Sequence, residues 1–257
     1  MIDSLWTIPL LFLAGTAAGL IDSIAGGGGL ITLPVLLGIG LPPQAALGTN
    51  KFQSSFGSFT ATAYHVHKKN IQLSGAWLGV LCTLVGAALG AWAVQQVDAK
   101  ALGKIIPFML MGILIYTFLT PKLGDQDQEP KLALNTFHII GGISFGFYDG
   151  FFGPGVGSFW AIAFVALLGF NLPRATGYTK LMNFTSNVVS LVVFAIGGNV
   201  WVMSGLAMAA GQIVGARLGS SLVIRKGASF IRPVFVTMVV IIIVKLFYDK
   251  FIVIAQP

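Results

Sequence analysis

Long uninterrupted apolar runs constrain this chain more than any other feature of its sequence. Residues 75–97, 137–152 and 234–247 approach or reach the length that a helix needs to cross a bilayer. A soluble surface needs many charged residues, yet only 9% of this chain is charged and 56% is hydrophobic. The sequence therefore predicts an integral membrane protein without a soluble domain of any size.

The apolar runs are continuous and lack the alternation of a transmembrane β-barrel, so the predicted fold is all-α. The first residues lack the positive stretch of a signal peptide, so we expect residues 5–21 to form a retained helix. Basic residues cluster at segment ends, at 65–69 and 225–232, rather than along a stripe. This pattern follows membrane topology and predicts a lipid bilayer as partner, with no nucleic acid.

Each half of the chain contains five apolar segments, of which the second is short. They span about 5–24, 29–41, 45–65, 74–96 and 101–120, and then about 134–152, 156–170, 176–198, 201–224 and 231–250. We therefore expect about eight full-length transmembrane helices and two short, broken or re-entrant helical segments. The predicted domains are a first transmembrane repeat at residues 1–120, a polar linker at 121–133, and a second transmembrane repeat at 134–257.

Four sequence matches occur in the same order in the two halves, which indicates an internal repeat. The matches are GLID at 19–22 with GFYD at 146–149, ALGTNK at 46–51 with ATGYTK at 175–180, GAALG at 86–90 with GARLG at 215–219, and Pro107 with Pro233. The basic loop follows the third segment in the first half and the fourth segment in the second. Placing both loops in the cytoplasm inverts one half, makes the linker cytoplasmic and puts both termini outside.

An acidic residue and a glycine-rich stretch interrupt the first segment of each half. Broken helices in transporters line substrate sites, because free amides at the start of a half-helix attract anions. The alternative is a tight packing turn; a nucleotide fingerprint is excluded because no strand precedes the glycines. The candidate residues are Asp22 with Gly27, Gly28 and Gly29, and Asp149 with Gly155 and Gly157.

A polar face follows on the third segment of each half. Lys51, Ser54 and Ser58 share one helix face, and the repeat places Lys180, Asn183 and Asn187 at equivalent positions, with Asn50 and Gln53 beside the first set. Lysine inside a membrane normally faces a cavity or a partner. The two faces together could enclose one central site for a small anion.

Other roles for these charges stay open. The two lysines could only neutralise Asp22 and Asp149 as buried pairs that hold the halves together, or could reach the interface from helix ends. The aspartates could instead carry protons and couple transport to a gradient. Glycines at four-residue spacings allow close helix packing, within the fold or in a homodimer. His65 and His67 lack further ligands nearby, so we predict solvated loop histidines and no metal or cofactor.

These motifs closely resemble those of the TauE/SafE, or sulfite exporter, family, and especially of its YfcA-like branch. The resemblance rests on GLIDSIAGGGG at 19–29, ALGTNK at 46–51 and GFYDGFFGPG at 146–155, and it covers essentially the whole chain. It implies a transporter in a bacterial inner membrane that exports sulfite, sulfoacetate or related sulfonates.

The leading hypothesis is thus a secondary carrier for small sulfur-containing anions, coupled to protons or sodium or driven by the anion gradient. The alternatives are an anion channel that uses the same lysines, and a cation transporter with Asp22 and Asp149 as ligands. An enzyme is not expected, because one cysteine and two loop histidines supply neither a nucleophile set nor a metal site.

Overall fold

A computed structural model describes residues 6–119 and 127–226 of the chain, and the regular structure in these two ranges is helical. Its α-helices are α1 Thr7–Ala25, α2 Gly29–Gly38, α3 Pro43–His67, α4 Trp77–Gln95, α5 Ala99–Leu119, α6 Leu134–Phe151, α7 Val156–Leu168, α8 Leu172–Ile196 and α9 Val202–Lys226. A short 3₁₀ turn at Leu73–Gly75 precedes α4.

The predicted segments agree with these helices to within a few residues. The two short segments are α2 and α7, with 10 and 13 residues. Within the described ranges, four helices are long and apolar enough to cross a membrane, namely α1, α4, α8 and α9. The predicted last segment at about 231–250, Pro233 and most of the linker lie outside the described residues. The described part of the chain is thus all-helical, with at least four membrane-spanning candidates.

The described helices bury charge and expose apolar side chains. Lys51 and Lys180 are each 1% exposed and Asp149 is 3% exposed, whereas Trp77 is 65% exposed and Phe108 is 70% exposed. In water this distribution would be strongly unfavourable, because ionised groups lose hydration while large apolar surfaces stay wet. A surrounding of lipid removes the second cost, and it explains why the polar residues face inward.

Glycines bring the first helix of each half against the fourth helix of the other half. In α4, a Cβ atom on Gly86 would overlap the backbone of Ile143 in α6, and one on Gly90 would overlap the Phe147 carbonyl. Such close backbone approach favours helix association in lipid, where the hydrophobic effect between helices is weak. Because residue numbers rise together along the contact, α4 and α6 run parallel.

The matching contact joins α1 to α9. Gly15 of α1 lies against the Met208 backbone, and Gly19 lies against Gln212, so this pair is also parallel. The predicted packing glycines therefore act within the fold at positions 79, 86, 90, 211, 215 and 219. Gly75 is the exception, because a Cβ atom there would meet nothing within 4 Å.

Helices α3 and α8 cross at the centre of the described structure. Ser58 accepts a 3.4 Å hydrogen bond from Asn187, and the rings of Phe59 and Phe184 are 5.3 Å apart, so the two helices run antiparallel. Helix α9 runs parallel to α3, with Arg217 4.5 Å above the Tyr64 ring.

Helix α4 is parallel to α8, since Thr83 contacts Met182 and Gln95 contacts Val193. Combined with the other pairs, α1, α3 and α9 run in one direction, whereas α4, α6 and α8 run in the other.

Candidate functional site

Two breaks in the helices meet at the interface between the halves. Gly26 ends α1 with a positive φ of 73°, and Gly153 follows α6 with a φ of 101°. Residues other than glycine rarely adopt such positive φ angles. The backbone of Gly26 contacts Gly157, and Gly29 lies against Pro154. The glycine-rich stretches seen in the sequence are therefore neighbours in space as well as counterparts in the repeat.

Local hydrogen bonds hold each break. The amide of Gly28, the N-cap residue of α2, donates to the Asp22 carboxylate at 3.4 Å. In the second break, the Tyr148 hydroxyl donates to the Pro154 carbonyl at 2.8 Å. Gly155, with a φ of 82°, is the N-cap residue of α7. Asp22 thus also accepts a hydrogen bond from a backbone amide that the helix break leaves without a helical partner.

The first ion pair links α3 to α6. The Lys51 ammonium lies 2.5 Å from one carboxylate oxygen of Asp149, and the two side chains are only 1% and 4% exposed. The other carboxylate oxygen of Asp149 accepts a hydrogen bond from the Ser186 hydroxyl on α8. Both oxygens are therefore satisfied, as a buried carboxylate requires.

The second ion pair links α8 to α1. The Lys180 ammonium lies 2.9 Å from the Asp22 carboxylate, and it also donates to the Asp22 backbone carbonyl. Lys180 is 1% exposed on its side chain, but Asp22 is 22% exposed. The second pair thus has the same composition as the first with a more accessible carboxylate.

The pairing is crossed, because each lysine binds the aspartate of the opposite half. Buried ion pairs between the halves are present, as one of the alternatives required, and a role of the lysines in anion binding stays a prediction. The expectation that the lysines reach the interface from helix ends is wrong, since each lies eight residues into a 25-residue helix and is almost fully buried.

The other polar residues predicted on α3 form a local network. Asn50 accepts hydrogen bonds from Thr32 of α2 at 2.5 Å and from Gln53 at 2.8 Å. The Gln53 amide also donates to Ser54 at 2.8 Å, while its carbonyl oxygen is buried without a hydrogen-bond partner among the described residues. The network connects α3 to the short helix α2.

The two predicted asparagines of α8 lie nearer the crossing and the breaks. Asn187 donates to Ser58, and the Asn183 amide lies close to Gly157. The side-chain oxygen of Asn183 is buried and lacks a partner within the described part of the chain. Gly27 is buried and accepts from the Leu30 amide at 3.0 Å, at the start of α2. The predicted site residues therefore surround the meeting point of α3, α8 and the two breaks.

Several residues of the site were missing from the predicted set. Ser186 and Thr32 contact predicted residues directly, and Gly26 and Gly153 carry the strained backbone of the breaks. Ser186 was expected to add polarity beside the face of Lys180, Asn183 and Asn187 without being counted in it. Threonine is common in membrane helices, so sequence pattern alone did not separate Thr32 from the rest. The equivalent spacing of Gly26 from Asp22 and of Gly153 from Asp149 was the available signal for the glycines.

His65 corrects one expectation. We predicted a solvated loop histidine, but α3 extends through His67 and His65 is fully buried. Its ring lies against Gly177 of α8, with Nδ1 3.2 Å from the Asn70 amide. The helix continues further than the sequence indicated, and its periodicity turns His65 inward while His67 stays exposed.

Comparison with known proteins identifies the family. The family described as "Sulfite exporter TauE/SafE" matches residues 11–246. The chain belongs to the TauE/SafE family. The predicted resemblance is confirmed, and with it the assignment to multi-pass membrane transporters.

Three relatives extend the match along the chain. "Probable membrane transporter protein YfcA" of Escherichia coli K12 is 47% identical over 94% of this chain and 90% of its own length. A "probable membrane transporter protein" of Haemophilus influenzae is 44% identical over 95% of both chains. "Probable membrane transporter protein ORF9" of a Sinorhizobium species is 42% identical over 94% of this chain and 93% of its own. No solved structure matches the chain.

Proposed function

We propose that this transporter is a secondary carrier that exports small sulfur-containing anions, such as sulfite, sulfoacetate or other organosulfonates, across a bacterial inner membrane. The observation that carries the proposal is the pair of lysines buried in the middle of long helices beside two broken helices. Buried ammonium groups are costly in a membrane and typically mark substrate or ion pathways, and a positive charge suits an anionic substrate. The sulfur chemistry and the outward direction come from the family name.

The geometry favours an anion over a cation as cargo. Helices α2 and α7 begin at the two breaks, so their N-terminal amides add positive potential near the lysines. Asp22 and Asp149, the candidate cation ligands, are each already bound by an ammonium group. A metal cation would have to displace a lysine from either carboxylate, and an anion would have to displace a carboxylate from either lysine. The preference for an anion therefore rests on the N-termini of α2 and α7.

We further propose that the halves are inverted repeats, with about eight full-length membrane helices and two short ones. Helices at equivalent places in the repeat run in opposite directions: α1 against α6, α3 against α8, and α4 against α9. This is the relation that supports alternating access around a central site. The ends of α3 and α9, which carry His67 and Arg225, lie on one face, and the positive-inside rule assigns that face to the cytoplasm.

The experiment for the anion proposal is direct binding to purified protein. Calorimetry and thermal shift with sulfite, sulfoacetate, taurine and sulfate should reveal saturable binding of at least one anion. Neutralising both pairs, by Lys51→Met, Asp149→Asn, Lys180→Met and Asp22→Asn together, should abolish that binding. Lys104→Met is the matched control, because Lys104 is an exposed lysine on α5. Binding that survives in the neutralised variant would contradict the proposed site.

A further inference from the structure

The two lysines are anchored on opposite sides of the α3–α8 crossing. Ser58 and Asn187 mark the crossing, and each lies seven residues after the lysine of its own helix. Seven helical residues span about 10 Å along the axis. Because α3 and α8 are antiparallel, Lys51 is displaced toward one end of the crossing and Lys180 toward the other. The backbones of the two lysines therefore lie on opposite sides of the crossing, whereas the Asp149 carboxylate that Lys51 binds also accepts from Ser186, next to Asn187. Each lysine has its own carboxylate.

We propose that Lys51 and Lys180 form two separate anion half-sites, each closed in this structure by the aspartate of the opposite half, and that an anion replaces this aspartate, which then takes up a proton. The inference rests on the proposed anion function and specifies how the site binds its cargo.

Charge balance supports this exchange. The described core contains two ammonium groups and two carboxylates in contact with one another, so its net charge is zero. A bound monovalent anion adds one uncompensated negative charge in a low-dielectric region, which is strongly unfavourable. Protonation of the displaced carboxylate restores neutrality. The expected stoichiometry is therefore about one proton for each negative charge bound.

The surroundings of Asp149 favour a proton over sodium as the compensating ion. Its described polar partners are the Lys51 ammonium from α3 and the Ser186 hydroxyl from α8, and the nearest other charges are Asp22 on α1 and its partner Lys180 on α8. A hard cation requires several oxygen ligands around it. One carboxylate and one hydroxyl beside an ammonium group do not supply them, whereas a protonated carboxyl needs only a single acceptor.

The pairs also differ in access, which gives the exchange an order. The side chain of Asp22 is 22% exposed and that of Asp149 is 4% exposed. Lys180 lies toward the end of α8 that begins with Asn171 and carries Arg174, the face assigned to the cytoplasm. In the described state an anion from that side reaches the Lys180 half-site first.

The test is calorimetric proton counting on the purified full-length chain. Titrations with methanesulfonate, which has one charge near neutral pH, and with sulfoacetate, which has two, are run in buffers of different ionisation enthalpy. We expect uptake of about one proton for methanesulfonate and about two for sulfoacetate. Asp149→Asn and Asp22→Asn should each reduce the uptake. Each should also tighten binding by about tenfold, because the competing carboxylate no longer occupies its lysine most of the time.

A second set of variants separates the half-sites while keeping the buried charge balanced. Lys51→Met with Asp149→Asn should retain anion binding at Lys180, and Lys180→Met with Asp22→Asn should retain it at Lys51. Anion binding without proton uptake, or complete loss of binding in either neutralised pair alone, would overturn the half-site inference and leave the anion function standing. Failure of the unaltered protein to bind any of these anions would overturn both.

Discussion

Replacement of Lys51 with methionine is expected to lower the free energy of unfolding by about 3–5 kcal/mol, because it leaves a buried carboxylate without its cation. Asp149 is 4% exposed and no water replaces the lost ammonium group cheaply. Thermal unfolding of the detergent-purified variant should begin roughly 10 °C earlier. The matched control, Lys104→Met, removes an exposed lysine from α5 and should leave the midpoint close to that of the unaltered protein.

The decisive comparison is the double variant Lys51→Met with Asp149→Asn. Removing both charges removes the unpaired carboxylate, so the double variant should be more stable than Lys51→Met alone and should show a coupling free energy of at least about 2 kcal/mol. Additive effects of the two substitutions would mean that the ion pair does not exist in the folded protein.

Introduction of a bulky side chain at Gly90 is expected to prevent the halves from packing. In this structure even the Cβ atom of alanine would overlap the Phe147 carbonyl of α6, which is backbone and cannot rotate away. Gly90→Leu must therefore separate α4 from α6, at a cost of at least about 3 kcal/mol, the upper end of the usual range for overpacking. Size-exclusion chromatography should show loss of the monodisperse species, or its conversion to aggregate.

Gly112→Leu on α5 is the control for this substitution. A Cβ atom at Gly112 would meet nothing within 4 Å, so leucine there should be tolerated. Equal behaviour of the two variants would contradict the close contact between α4 and α6, and with it the crossed arrangement of the two halves.

The sequence was sufficient for the helices and for the residue types of the site. Continuous apolar runs located α1 to α9 to within a few residues, and the glycine-rich interruptions located the breaks before α2 and α7. These features are local: segment length, periodicity and the conformational freedom of glycine are all properties of neighbouring residues. The family resemblance rested on the same short motifs, and it is confirmed over residues 11–246.

The partners within the site could not be predicted in the same way. Nothing local distinguishes pairing of Lys51 with Asp22 from pairing with Asp149, because that choice depends on how α3 packs against α6 and α8. The burial of His65 depended likewise on contact with Gly177 of α8. The central anion site with two lysines stays a prediction, and the carboxylate partner of each lysine became known only from the structure. Such contacts between distant segments are set by tertiary packing.

Counterflow in proteoliposomes tests the central claim most directly. Vesicles that contain the purified protein are loaded with unlabelled sulfite or sulfoacetate, and uptake of the labelled anion is followed. The account predicts saturable uptake that is accelerated by anion on the opposite side, and that is lost when either lysine–aspartate pair is neutralised. Unsaturable flux with single-channel currents, or exchange that persists in both neutralised variants, would contradict it.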